Sequence, residues 1–243
     1  MRYAVMTIDL DGTLVDTAAE IAEAANRTLE DFGLPRQAPA LVTSFIGAGT
    51  RQMFTQLQSH LLLGRPELAE RLPLVPALER LDVHYGETAG MTASPYPGCV
   101  AALADLRDAG VRLACLTNKE HRYALKVLDA TGLSGYFDCI VGGDSLAWRK
   151  PEPETVWHVL DRLGGRAGQA AHLGDSRTDV ETALRAGVAA WAVPWGYNAG
   201  EPIAASGPHR IFQSWAEVAA HVLAANSAAD PADSTANGAP TWP

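Results

Sequence analysis

Apolar residues along this chain follow two different periods. Short, nearly continuous apolar runs occupy residues 3–10, 112–117, 137–141, 170–173 and 189–193, each closed by Gly, Asp, Asn or Pro. Runs of this kind predict strands buried on both faces, as in a parallel sheet. Between them, apolar positions recur at helical spacing over 100–109, 121–131, 153–163 and 178–186. Gly110, Gly132, Gly164 and Gly187 lie just past these stretches, where a helix C-cap is expected. The alternation predicts an α/β fold with a doubly wound parallel sheet, a Rossmann-like core.

One segment departs from this rhythm. Residues 17–93 contain no convincing strand. Thr17-Ala18-Ala19-Glu20 reads as a capping box opening a helix that runs to about Phe32. Helical patterns follow over 50–63 and 66–86, and Pro95-Tyr96-Pro97-Gly98 marks the return to the sheet. The expected organisation is an α/β catalytic core from 1–15 and 95–224, an inserted all-helical cap from 16–94, and a disordered tail from 225–243. That tail is rich in Ala, Ser, Asn, Asp and Pro.

Composition narrows the function. Hydrophobic residues make up 47% of the 243 and charged residues 19%, enough for a sizeable core. A formal net charge of −9 argues against a nucleic-acid partner. No apolar run has the length of a membrane span, and Asp9 and Asp11 interrupt the first run where a secretory leader needs an unbroken one. Cys99, Cys115 and Cys139 form no CxxC pair and read as reduced thiols, so a cytoplasmic protein is expected.

Candidate chemistry sits at the strand ends. Asp9 and Asp11 are two apart on an extended segment, so their side chains can share a face. Asp175 closes the fourth core strand, and Asp179 follows one helical turn later. In a parallel sheet both pairs emerge at the carboxyl edge, where open α/β folds bind ligands. Two unit charges about 5 Å apart repel by about 3 kcal/mol at an effective dielectric near 20, so such a group needs protons or a cation. Oxygen ligands completed by water and phosphate suit Mg²⁺, and no His/Cys spacing suits zinc. Thr117-Asn118-Lys119 offers a hydroxyl, an amide and backbone N–H groups for an anion. Lys150 precedes a helix-opening proline and could balance charge on a carboxylate and a phosphate. His172 lies within a strand and reads as structural.

These residues resemble, in order, the motifs of the haloacid dehalogenase superfamily of phosphohydrolases. They are Asp9-Leu10-Asp11-Gly12-Thr13, Leu116-Thr117-Asn118, Lys150-Pro151 and Gly174-Asp175-Ser176-Arg177-Thr178-Asp179. The match runs from Tyr3 to about Val218, and the insert resembles that superfamily's cap. Within it, Phe45-Ile46-Gly47-Ala48-Gly49, Gly142-Gly143-Asp144 and Trp195-Gly196-Tyr197-Asn198-Ala199-Gly200-Glu201 look most like bacterial phosphoglycolate phosphatases. Ile8, where the family usually has Phe, and Trp148 depart from the pattern.

The resemblance implies roles. Asp9 would be the nucleophile and Asp11 the acid and base. Asp9, the backbone carbonyl of Asp11, and Asp175 would hold Mg²⁺. Thr117, Asn118 and Lys150 would bind the phosphoryl group, and Asp179 would orient Lys150 or a metal-bound water. The expected substrate is a small phosphate monoester, 2-phosphoglycolate first. Sugar-phosphate or nucleotide phosphatases and a phosphomutase share these motifs and remain open. So does a non-catalytic binding protein, although no motif residue is lost. A phosphonatase would need a cap lysine, and none occurs between Thr17 and Ala93. The Gly47-Ala48-Gly49-Thr50-Arg51 turn is a candidate to approach the core and read the leaving group. Arg51 reads either as a partner for a substrate carboxylate or as a solvated side chain.

Overall fold

A computed structural model describes residues 3–229. The strands are β1 (Val5–Ile8), β2 (Val15–Asp16), β3 (Ser94–Pro95), β4 (Arg112–Leu116), β5 (Cys139–Val141), β6 (Ala170–Gly174), β7 (Ala189–Ala192) and β8 (Arg210–Ile211). The helices are α1 (Ala18–Asp31), α2 (Pro39–Thr43), α3 (Thr50–Leu62), α4 (Leu68–Arg71), α5 (Leu74–Thr88), α6 (Cys99–Asp108), α7 (His121–Ala130), α8 (Glu154–Arg162), α9 (Arg177–Ala186) and α10 (Trp215–Ala229).

Six strands form one parallel sheet in the order β5-β4-β1-β6-β7-β8. Side chains alternate across it, as the pleat requires. Met6, Ile8, Leu113, Cys115 and Trp191 enter the core on one face with α6 and α10. Val5, Ala114, Leu116, Ala190 and Ala192 enter the core on the other with α8 and α9. Ile8 aligns with Cys115 on one side and Leu173 on the other, so β1, β4 and β6 end at the same level. Gly110, Gly132, Gly164 and Gly187 all take positive φ after their helices, as expected of C-caps.

Helices α1–α5 lie between β2 and β3, which pair antiparallel as a short ribbon. In this layer α1 packs on α5 and α2, and α3 packs on α5. Their apolar side chains continue the core of the α6/α10 face.

Four expectations need correction. The first strand spans Val5–Ile8 rather than 3–10, because the chain leaves the sheet at Asp9 and turns at Leu10. The helix expected over 66–86 is two, α4 and α5, separated at Leu72 and Pro73, where a helix-interior proline would lose a hydrogen bond. Thr17 stands at the N-cap of α1 but makes no side-chain cap bond. The expected tail does not begin at 225, because α10 continues to Ala229. There Asn226 accepts from Tyr3 N at 2.6 Å and donates to Tyr3 O at 2.9 Å, tying this helix to the N-terminal segment. The rest of the expected tail lies outside the described residues. No helix among those described is long and apolar enough to cross a membrane.

Candidate active site

The acidic residues gather at the carboxyl edge of the sheet. Asp9 follows β1, Asp175 follows β6, and Asp179 lies in the first turn of α9. One carboxylate oxygen of each lies within 4.8 Å of the others, and all three residues are buried. Lys150 enters from the turn before α8. Its Nζ donates to Asp9 Oδ1 at 2.7 Å and to Asp179 Oδ1 at 2.6 Å.

The sheet itself fixes Asp179. Thr7 and His172 occupy one register position on adjacent strands, polar residues in an otherwise apolar layer. The Thr7 hydroxyl meets His172 Nδ1 at 2.8 Å, and His172 Nε2 meets Asp179 Oδ1 at 3.1 Å. Burial holds His172 below its ordinary pKa, so a neutral ring donates from Nε2 to the carboxylate and accepts the Thr7 hydroxyl at Nδ1. The other oxygen, Asp179 Oδ2, accepts from Ser176 N at 3.1 Å and completes a capping box on α9.

Charge at this floor is unbalanced. Burial alone would raise Asp179, but Lys150 and His172 outweigh it and hold the carboxyl far below the usual range. Burial pushes Asp9 up to about 7 against the pull of Lys150, with Asp179 and Asp11 adding to the rise. Burial, then Asp179 and Asp9, drive Asp175 well above an ordinary carboxylate. Asp175 is nevertheless aimed: Oδ1 accepts from the Thr13 hydroxyl at 3.0 Å and Oδ2 from Tyr197 N at 2.6 Å. Backbone must come very close for this. A Cβ on Gly196 would sit 2.1 Å from Asp175 Oδ2, and one on Gly12, at φ +83°, 2.5 Å away.

Thr117 and Asn118 follow β4 beside this floor, both buried. Asn118 Nδ2 donates to Lys150 O at 3.0 Å and to Gly47 O of the helical layer at 3.3 Å, while its Oδ1 is buried without a partner. Gly49 takes φ +95°, and a Cβ there would meet Asn118 O at 2.7 Å. The Gly47–Gly49 turn therefore does reach the core. A cleft lies between the two layers, with Asp9, Asp11, Thr117 and Asn118 on one wall and Ile46 and Met53 on the other. Arg51 is exposed and lies outside that lining.

Asp11 faces the same cleft with different partners. Lys119 Nζ lies 2.9 Å from its Oδ1, and the Thr17 hydroxyl donates to that oxygen at 2.5 Å. Lys119 is fully buried and donates also to the hydroxyl of Tyr85, on α5. Thr17 is free for Asp11 because the α1 N-terminus is capped from elsewhere. Tyr197 Oη accepts from Thr17 N at 2.8 Å and Ala18 N at 3.1 Å and donates to Asp16 Oδ1 at 2.5 Å. Glu20, the other half of the expected capping box, turns inward and accepts from Gly90 N at 2.9 Å.

Comparison with known proteins identifies the family. The model of the haloacid dehalogenase-like hydrolases matches residues 7–193. The chain belongs to that family. It is 41% identical over 207 residues to a plasmid-encoded phosphoglycolate phosphatase of Cupriavidus necator, covering 85% of this chain and 87% of that one. It is 31% identical over 220 residues to a phosphoglycolate phosphatase of Thiobacillus denitrificans, covering 90% and 96%. A crystal structure described as a predicted phosphoglycolate phosphatase of Haemophilus somnus superposes with a TM-score of 0.80 at 29% identity, covering 90% and 97%. Like these relatives, this family member is a phosphoric monoester hydrolase.

The site of this haloacid dehalogenase-like hydrolase fits a divalent cation. Three buried carboxylates face one lysine, and two of them resist ionisation without further positive charge. Asp179 is already engaged by Lys150, His172 and Ser176, which leaves Asp9 and Asp175 as the side chains suited to a metal. Sequence reasoning missed Lys119, Tyr85 and Tyr197. Lys119 and Tyr197 stood within quoted motifs, whereas nothing around Tyr85 distinguishes it from a core aromatic.

Proposed function

We propose that this enzyme hydrolyses 2-phosphoglycolate to glycolate and phosphate through an aspartyl-phosphate on Asp9, with Mg²⁺ as cofactor. The observation that carries the reading is the division of two carboxylates by partner. Asp9 sits with Lys150 among the acidic residues, and Asp11 sits with Lys119 and Thr17. A nucleophile and an acid–base group need different surroundings, and these two have them.

Asp9 attacks phosphorus while the bond from phosphorus to the leaving oxygen breaks and Asp11 supplies that oxygen's proton. Asp11 then takes a proton from water, which attacks the same phosphorus, breaks the bond to Asp9 and releases phosphate. The Thr117 hydroxyl and Asn118 amide bind the transferring group, and Lys150 balances charge as Asp9 is consumed. Asp179 holds Lys150 in line, itself braced by His172 and Ser176. Asp9, Asp175 and the Asp11 carbonyl would hold Mg²⁺, which supplies charge neutralisation to the phosphate. Residues 16–94 act as a cap that shuts solvent from the acyl phosphate. Relatives named phosphoglycolate phosphatase support the substrate, and three buried unpaired thiols suit a cytoplasmic enzyme.

The test is phosphate release from a panel of esters, with Mg²⁺ and with chelator. The expected outcome is metal-dependent release with 2-phosphoglycolate ranked first by kcat/KM. A sugar phosphate or nucleotide ranked well above it would refute the substrate, and metal-independent release would refute the cofactor.

A further inference from the structure

A 2-phosphoglycolate molecule carries a second anion that the phosphate site does not address. One methylene separates its bridging oxygen from a carboxylate. Resting on the proposed function, the bridging oxygen must lie against Asp11, so whatever reads the carboxylate must lie beside Asp11.

Lys119 is the cation there. It is the one basic side chain among the residues lining the cleft, since Arg51 and Arg149 line a neighbouring depression and Lys150 stays behind Asp9. Its ammonium has three donors. Asp11 takes one and Tyr85 a second, which leaves one for a ligand. Holding Asp11 does not by itself require a buried lysine, because Thr17 already donates to the same oxygen. Burying a second charge is costly unless it has partners, and the Tyr85 hydroxyl supplies part of that partnership. The opposite wall is mostly apolar, with Ile21, Ile46 and Met53 beside a single side-chain hydroxyl, that of Thr50.

We infer that Lys119, braced by Tyr85 of the helical layer, binds the substrate's carboxylate and so makes the enzyme select short acidic phosphate monoesters. One lysine at the core–cap seam then touches the acid–base group, the cap and the leaving group together. Selectivity is set where the cap meets the core rather than by a residue on the cap alone.

The test compares 2-phosphoglycolate with 2-hydroxyethyl phosphate, which keeps the ester and replaces the carboxylate with an alcohol. Both are assayed with Mg²⁺ on the full chain. Wild type should prefer the acid. In Lys119→Met the ratio of the two kcat/KM values should narrow by roughly 10- to 100-fold, mostly through KM for the acid, as expected on losing a hydrogen bond between charged groups. Lys119→Arg should restore part of the preference. If both substrates decline together and the ratio stays as in wild type, Lys119 serves Asp11 or the fold and the assignment is wrong. If wild type itself shows no preference while metal-dependent release continues, the substrate reading fails first and the Lys119 assignment with it. Should Lys119→Met not fold, Tyr85→Phe decides with the same pair. A narrowing of about 3- to 5-fold supports the assignment, and an unchanged ratio overturns it.

Discussion

Two lysines are buried at the carboxyl edge of this sheet, and their surroundings differ. Lys150 lies in the floor, between Asp9 and Asp179, with every partner drawn from the α/β core. Lys119 lies at the seam, between Asp11 of the core and Tyr85 of the helical layer. The floor is over-determined: Asp179 is held by Lys150, His172 and Ser176, and His172 in turn by Thr7. The seam is held by fewer contacts and depends on the two layers staying together. On the proposed function, the contrast separates a floor suited to chemistry on the phosphate from a seam placed to meet what leaves.

The largest expected effect belongs to the floor. Asp9→Asn removes the proposed nucleophile and keeps the side-chain volume. Turnover should drop by roughly 10⁴-fold or more, while circular dichroism and the unfolding midpoint show a folded protein. Activity near wild type would remove Asp9 from the chemistry and collapse the division between floor and seam.

Stability should separate the two lysines next. Lys150→Met strands two buried carboxylates, Asp9 and Asp179, and breaking a buried pair in this way costs about 3–5 kcal/mol. Lys119→Met strands Asp11, whose side chain is 13% exposed and keeps the Thr17 hydroxyl, so the cost should be about 1–3 kcal/mol. Urea unfolding in chelator measures both. Equal losses would mean that the seam is as tightly determined as the floor.

The floor was legible in the sequence because its chemistry is written at strand ends. Asp9, Thr117 and Asp175 each directly follow a strand, and parallel pairing brings such ends together, while Lys150 arrives from the turn before α8. The seam was not legible, because its contacts join segments with no shared pattern. Tyr85 is one aromatic on an amphipathic helix, and only the packing of α5 brings it to Lys119. The misread capping box has the same origin. Thr17 and Glu20 have the right spacing, but Tyr197, far along the chain, supplies the cap and releases Thr17 to Asp11. Local spacing predicts local bonds, and here a tertiary contact won. His172 was read as structural from its strand position, and its place between Thr7 and Asp179 agrees with that while adding a partner that spacing alone did not name.

The smallest expected effect concerns metal and pH at the floor. Asp9 is pushed up to about 7 by burial, and Asp175 is also raised. A carboxyl whose folded pKa exceeds its unfolded value of about 4 binds more protons when folded. Its contribution is fully present below the unfolded value and is lost as pH rises through the folded one. Without metal, the floor should therefore weaken the fold between about pH 4 and pH 7 and above. A divalent cation binds the ionised carboxylates, so it should restore most where protons have left. Saturating Mg²⁺ should raise Tm by about 3–8 °C at pH 8 and by under about 2 °C at pH 5, and Asp175→Asn should reduce the difference. Lys119→Met leaves Asp9 and Asp175 in place and uncovers the Asp11 charge that already raises Asp9, so it should keep or enlarge this pH-dependent Mg²⁺ shift. A shift of equal size at both pH values would show that the uncompensated charge of the floor is not what the cation answers.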